Sequence, residues 1–561
     1  MGLTLLPDTL TPSDLGLTGY PSFRTDSLGR PVQLEVVEFA AYCEKRFAAV
    51  CAPTGIGKGC AALSIAKLAG VRTAILTGTL GLQDQYKVEG SANGLVDIRG
   101  RANYSCGDWP ELDCRLGSKM GCRYVGGRGC EYDTCKDLAR EADIVGTSYA
   151  YWMTVHDKAQ GLERTGEDAE LEGRNPIELL ICDEFHTAKT WLAGYIAVRL
   201  YEGEVKRWCE PAMMGEDIAK WQQLIQNLNL IDELKTEVKV LALEIAGLGK
   251  KVKKQHIEQL HRTEALMGKF MRVMSMRDDW VLERKDGTRV GRVWSFDVIQ
   301  PGRYAEQYLF CRVPKVVVMS ASLRPKEMPL MGIGKDEYEF REWQRIYQRS
   351  NCPIYYLPPK FDGKSVRVTQ KTDAAQLFAW VLHIDQLMKG RLDRRVLIIT
   401  SSYKYQEFLM GHSSYGEYMI GNKDEEDSET AQEAFNRFIK TPPPVILCSP
   451  SFGVGWDFKD DRCEFLVISK VPLRAPKGAS KLMAARLARD PEYGNHETMQ
   501  DIVQWCGRPQ RSETDRAEIV IVDGSWDWFG PRNAKHAPEG FVKEIRRVLA
   551  LPPAPKKIAD R

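Results

Sequence analysis

The sequence predicts an α/β fold built from two parallel-sheet domains. Three observations lead there: short apolar runs recur along the chain, longer helical patterns separate most of them, and a glycine-rich loop follows an early run. The runs TAILT (73–77), ELLIC (178–182), KVVVM (315–319), RVLIIT (395–400) and PVILC (444–448) read as buried strands, with FLVISK and EIVIVD as two more. Strands alternating with helices are the pattern of parallel sheets joined by crossover helices. They fall into two groups, one over roughly 33–190 that resumes near 305–325, the other over roughly 355–550.

Composition bounds the rest. The chain has 561 residues, enough at about 150 residues per domain for three or four domains. Its 43% hydrophobic and 27% charged residues exclude disordered and collagen-like classes. Lys and Arg number 78 against 76 Asp and Glu, a net charge of +2, so any basic track for nucleic acid is local. No apolar run is long enough to span a membrane and MGLTLLPDTL lacks the basic region of an export signal, so a soluble, cytoplasmic protein is expected. The 15 cysteines then make a poor disulfide framework.

The segment FAAVCAPTGIGKGCAALSIAKLAG reads as strand, loop and helix. Thr54, Gly55 and Gly57 form a loop whose backbone N–H groups face phosphate oxygens, the helix start adds positive potential, and Lys58 reaches the terminal phosphates of a nucleoside triphosphate. Gly59 stands where Ser or Thr would offer Mg²⁺ a hydroxyl, so either water replaces that ligand or hydrolysis is weakened. In ELLICDEFHTAK a strand ends in two acids: Asp183 suits Mg²⁺ bridging the β and γ phosphates, and Glu184 suits orienting the attacking water.

These motifs resemble those of the superfamily 2 helicases. Asp183-Glu184-Phe185-His186 is similar to the DEAH box, MSASL (319–323) to motif III, SPSFGVGWDF (449–458) to motif V, and QWCGRPQRSETD (504–515) to motif VI. The resemblance implies two RecA-like motor domains, ATP hydrolysis with Mg²⁺, and roles for Gln504, Arg508 and Arg511 at the phosphates, the arginines acting as fingers from the second domain. It further implies nucleotide contacts by Gly455 and Asp457, and by Gln33 in RPVQLEVVEF, similar to the glutamine that reads adenine in these enzymes.

Cys106, Cys114, Cys122 and Cys130 recur with seven residues between neighbours, and no CxxC occurs among them. Closely paired cysteines are the habit of structural zinc sites, so this spacing leaves zinc and a Cys₄ iron–sulphur cluster both open. The flanks narrow the choice: the cluster lies between TGTLGLQDQ and the DEFH box, opened by GRANYSC and closed by CEYDTCKDLAREADIVGTSYAYW. This arrangement resembles the XPD/DinG iron–sulphur helicases. That resemblance implies a [4Fe–4S] cluster held by Cys106, Cys114, Cys122 and Cys130, with Cys135 as a spare, and an arch-like insert after the box.

A helical pattern with few Pro or Gly fills that place and contains the basic run KKVKK (250–254), most simply a solvated face; Asp286-Gly287 beyond it suggests a hairpin with a type I′ turn. The chain then divides into a first motor domain (1–100, 141–194 and 301–330), a cysteine-rich insert (101–140), a mostly helical arch-like insert with hairpin (195–300) and a second motor domain (331–561). The resemblance implies a compact bacterial or phage-encoded DNA helicase, monomeric, moving 5′ to 3′ on single-stranded DNA and acting on forked or tailed duplexes. Tyr149, Tyr151 and Trp152 are candidates for stacking on bases. Two alternatives stand beside it: a single-strand-binding protein with a weakened ATPase site, and a zinc-containing variant.

Overall fold

The computed structural model describes residues 10–554 apart from 27, 126–128, 158–160, 164–172, 174, 211–214, 216, 249–252, 289–290, 424–429, 454–455, 457, 459, 475–479 and 511. Among the described residues, two seven-stranded sheets carry the two lobes. The first has the spatial order Tyr338–Glu342, Phe47–Cys51, Lys315–Ser320, Leu179–Cys182, Thr73–Thr77, Ile144–Ser148 and Leu95–Asp97. All its pairings are parallel. The second runs Met419–Ile420, Val445–Cys448, Arg395–Ile399, Phe465–Ile468, Glu518–Ile521, Ile354–Tyr356 and Ile545–Arg547, again parallel throughout.

The strands read from the sequence are the central ones, and they are apolar because helices cover both faces. Phe47–Cys51, Thr73–Thr77, Leu179–Cys182 and Val445–Cys448 are buried at every position. Each lobe therefore has an apolar cluster on either side of its sheet. The phosphate-loop strand Phe47–Cys51 and the acid-bearing strand Leu179–Cys182 both flank Lys315–Ser320. Three motifs thus leave the carboxyl ends of three adjacent strands, the rim where open parallel sheets bind ligands.

Two inserts interrupt the first lobe. One leaves after Leu95–Asp97 and returns at Ile144–Ser148, carrying the helices Cys114–Lys119 and Glu131–Glu141. The other follows the helix Ala188–Ile196 and packs the helices Ile218–Asn227, Leu230–Leu248 and Lys254–Ser275 around a core that includes Trp221, Phe270 and Trp294. It also contains an antiparallel sheet of Val198–Tyr201, Gly291–Val298 and Trp280–Thr288. A hairpin is present as expected, but the turn is not at Asp286-Gly287. Thr288 pairs with Gly291, and the pairing register shifts between Lys285 and Thr288. Asp286-Gly287 therefore sits in a bulge, another place that accepts a residue pair poor in strand propensity. Lys250, Lys251 and Val252 of the basic run lie outside the described residues.

Candidate active site

The phosphate loop forms as its glycines dictate. Gly55 and Gly57 have φ of 86° and 80°, a region that residues with a Cβ enter at a cost, and the helix Lys58–Ala69 starts directly after them. Lys58 Nζ lies 3.8 Å from Glu184 Oε1. Glu184 itself has φ of 50°, a conformation rare for a non-glycine residue and typical of functional turns.

Asp183 is buried. Its Oδ2 accepts a hydrogen bond from the Tyr86 hydroxyl at 2.9 Å and its Oδ1 accepts the Glu184 N–H at 2.8 Å. Burial and the adjoining Glu184 charge push the Asp183 carboxyl up to about 6. Burial also opposes charge on Glu184, but Lys58, His186 and Arg508 outweigh it and hold that carboxyl well below the usual range. The two acids are therefore unlike: one is nearer to protonation, the other firmly ionised. Glu184 Oε2 lies 3.2 Å from His186 Nδ1 without a well-aligned hydrogen bond, and His186 Nε2 is buried without a hydrogen-bond partner. Unsatisfied polar atoms beside an ammonium and two carboxylates fit a site that takes phosphate, water and Mg²⁺.

The second lobe reaches this site through the helix Tyr493–Cys506. Gln504 Nε2 donates to Ser322 Oγ at 2.7 Å and lies 3.4 Å from both His186 Nδ1 and Ser320 Oγ. Ser320 Oγ is also 2.9 Å from His186 Nδ1. Gly507 is close enough to the loop that a Cβ on it would meet the Thr54 methyl at 3.0 Å. Arg508 is buried, with Nε donating to the Gly453 carbonyl at 2.9 Å and Nη1 to the Trp456 carbonyl at 3.0 Å. Gly455, Asp457 and Arg511 lie outside the described residues.

Gln33 is beside the loop, with its amide engaged at both ends: Nε2 donates to the Gly57 carbonyl at 2.8 Å and Oε1 accepts the Arg24 N–H at 2.9 Å. In this arrangement the side chain braces the loop. Arg24 and Tyr347, which no motif pointed to, also converge here. The Arg24 guanidinium donates to the Gly55 carbonyl and, at 2.7 Å, to the Tyr347 hydroxyl. Tyr86 was missed for the same reason: its phenol becomes relevant only once the fold brings it to Asp183.

Placing Tyr149, Tyr151 and Trp152 on a DNA path requires correction. All three are buried in the first-lobe core. The Tyr149 hydroxyl donates to the Asp183 carbonyl, Tyr151 meets Tyr132 hydroxyl to hydroxyl at 3.0 Å, and Trp152 Nε1 donates to the Leu309 carbonyl at 2.7 Å. Their faces are used up by packing, so none is offered to a base.

Cys106, Cys114, Cys122 and Cys130 are buried free thiols. Cys114 Sγ and Cys130 Sγ are 3.6 Å apart, and the Arg101 guanidinium donates to Cys114 Sγ at 3.3 Å. Burial raises the Cys114 thiol to about 11 and raises Cys122 as well, so thiolates here need a compensating cation. Gly117 has no room for a side chain, since a Cβ would come within 2.2 Å of Cys106 Sγ. Cys114 and Cys130, sulphur to sulphur with a guanidinium beside them, suit thiolate ligands of an iron or zinc centre, whereas the cluster of three donors that could hold an ion among the described residues is Glu327, His496 and Glu497 at the lobe seam. Cys135 is turned instead toward Tyr104.

A helicase C-terminal domain family matches residues 386–535. Among solved structures, an XPD helicase superimposes with a TM-score of 0.63 at 14% identity, covering 92% of this chain and 98% of the other. An apo XPD structure gives 0.56, again at 14% identity, covering 92% and 99%. Xpd4 of S. tokodaii gives 0.54 at the same identity and the same two coverages. A search of curated protein sequences finds no match. With two parallel-sheet lobes, the first of them interrupted by inserts, the chain has the fold of these XPD helicase structures, and its second lobe carries the helicase C-terminal domain match.

Proposed function

We propose that this protein is an ATP-dependent DNA helicase that moves along single-stranded DNA, 5′ to 3′, and parts the duplex at its cysteine-bearing insert. The observation that carries the reading is the reach of Gln504 across the seam to Ser322, beside His186 and the Lys58–Glu184 pair. Lys58 would bind the terminal phosphates, Glu184 would orient water and accept its proton, and Asp183 would hold Mg²⁺, which supplies charge neutralisation on the β and γ phosphates. Gln504 would report the state of that site to the second lobe, and Arg508 and Arg511 would approach the phosphates as the lobes close.

Cys106, Cys114, Cys122 and Cys130 would hold a [4Fe–4S] cluster, whose contribution is to fix the shape of the insert. Metal analysis with visible absorption after anaerobic purification tests this assignment. Iron and sulphide with a broad absorption band support it; one zinc and no iron retires it. Strand displacement on 5′-tailed and 3′-tailed duplexes tests motor activity and polarity together. The wild-type protein should open the 5′-tailed substrate, while Lys58→Ala and Glu184→Gln should each lose at least about 100-fold in rate with the fold kept. Retained unwinding in both variants would overturn the reading.

A further inference from the structure

We propose that Glu89 supplies the Mg²⁺-facing oxygen that Gly59 does not. This deepens the ATP-hydrolysis reading and rests on it. In a phosphate loop of this type the residue after the lysine normally turns a hydroxyl toward the metal. Here Gly59 offers none, yet the space its side chain would enter is occupied: a Cβ on Gly59 would lie 3.1 Å from Glu89 Oε2. A carboxylate oxygen thus stands in close contact with the point from which a side chain at 59 would start.

The carboxylate is held in place. Glu89 Oε2 accepts from the Tyr20 hydroxyl at 3.1 Å and Oε1 accepts from Gln85 Nε2 at 2.8 Å, leaving further lone pairs on both oxygens. The helix Leu80–Gly90 that carries it also carries Tyr86, three residues earlier and on the same face, whose hydroxyl bonds the proposed Mg²⁺ ligand Asp183. One helix therefore links both proposed oxygen sources. A carboxylate facing a bound triphosphate would repel it unless a cation stood between them, so the arrangement would be productive only with metal bound. A side chain at 59 would press on this carboxylate, which would have to give way slightly.

The test is nucleotide-dependent Mn²⁺ binding by the full-length protein, read by electron paramagnetic resonance with the non-hydrolysable analogue AMP-PNP. Glu89→Gln keeps the size and hydrogen-bonding capacity of the side chain but loses its charge. Mn²⁺ affinity should fall about tenfold or more, while metal-free AMP-PNP binds no more weakly than to the wild type. The double variant Gly59→Ser with Glu89→Ala should recover most of that affinity, because it restores the hydroxyl and clears space for it. Wild-type Mn²⁺ affinity in Glu89→Gln would overturn the role of Glu89 alone. Failure of the wild-type protein to bind AMP-PNP at all would overturn the nucleotide-site reading together with it.

Discussion

At the residue scale the site depends on a few side chains whose chemistry is set by burial. Glu184 is held ionised by Lys58, His186 and Arg508, and its φ of 50° fixes where it points. Glu184→Gln should therefore bind ATP as well as the wild type or better and turn it over at least about 100-fold more slowly, a split measurable by equilibrium binding and steady-state kinetics. Gln504→Ala should behave differently. It removes the hydrogen bond to Ser322 without touching Lys58 or the two acids, so nucleotide binding should persist while turnover drops about tenfold to 100-fold. Lys58, Asp183 and Glu184 were legible in the sequence because a glycine-rich loop with a lysine and two acids at a strand end suit phosphate and Mg²⁺ chemistry, and Gln504 only through the resemblance of its motif. Tyr86, Arg24, Tyr347 and Glu89 were not. Each belongs to the site only through folding, and nothing local in LQDQYKVEG distinguishes a phenol over an aspartate from an ordinary helical tyrosine.

At the scale of elements, the central strands declared themselves because both faces are covered. The edge strands did not: Tyr338–Glu342 alternates partly buried and exposed positions, and Met419–Ile420 is two residues long. Val198–Tyr201 joins the insert's sheet with a pattern too short to be read ahead of its partner. The Tyr149–Trp152 segment was misread because aromatics suited to base stacking are equally suited to a core, and burial decides between the two. Arg72 shows how the cysteine-bearing insert is tied down. Its buried guanidinium donates to the carbonyls of Ala142, Ala139 and Leu162 at 3.0, 2.8 and 2.6 Å and also to that of Asn175, joining the end of the helix Glu131–Glu141 to the sheet. Arg72→Met strands those acceptors and should cost about 2 to 4 kcal/mol, seen as a lower denaturation midpoint, with Cys130 loosened along with its helix.

At the scale of the whole molecule, the lobes meet through several polar contacts besides Gln504. Lys189 Nζ pairs with Glu497 at 2.5 Å, His496 Nε2 lies 2.9 Å from Glu327 Oε1, and Lys326 Nζ lies 2.8 Å from Asp490. Arg486 of the second lobe donates to the Ile299 carbonyl at 3.0 Å, just past the end of the second insert's hairpin. Polar contacts of this kind suit lobes that separate and re-form, because each group can return to water. Acid should weaken the fold by a traceable route. Burial lowers His156 and His536 to about 4 from the ordinary 6.5, so the unfolded chain binds protons that the folded chain refuses. Their contribution, about 3 kcal/mol each at most, is complete above about 6.5 and lost as pH falls toward 4. Thermal midpoints measured across that range should decline, and less steeply in His156→Gln.

The most direct test of a nucleotide site shared between the lobes and coupled to a polynucleotide is ATP turnover with and without single-stranded DNA. The wild-type protein should hydrolyse ATP at least about tenfold faster with the strand present, and Gln504→Ala should lose most of that stimulation. Turnover that is absent, or indifferent both to DNA and to Gln504, would contradict it.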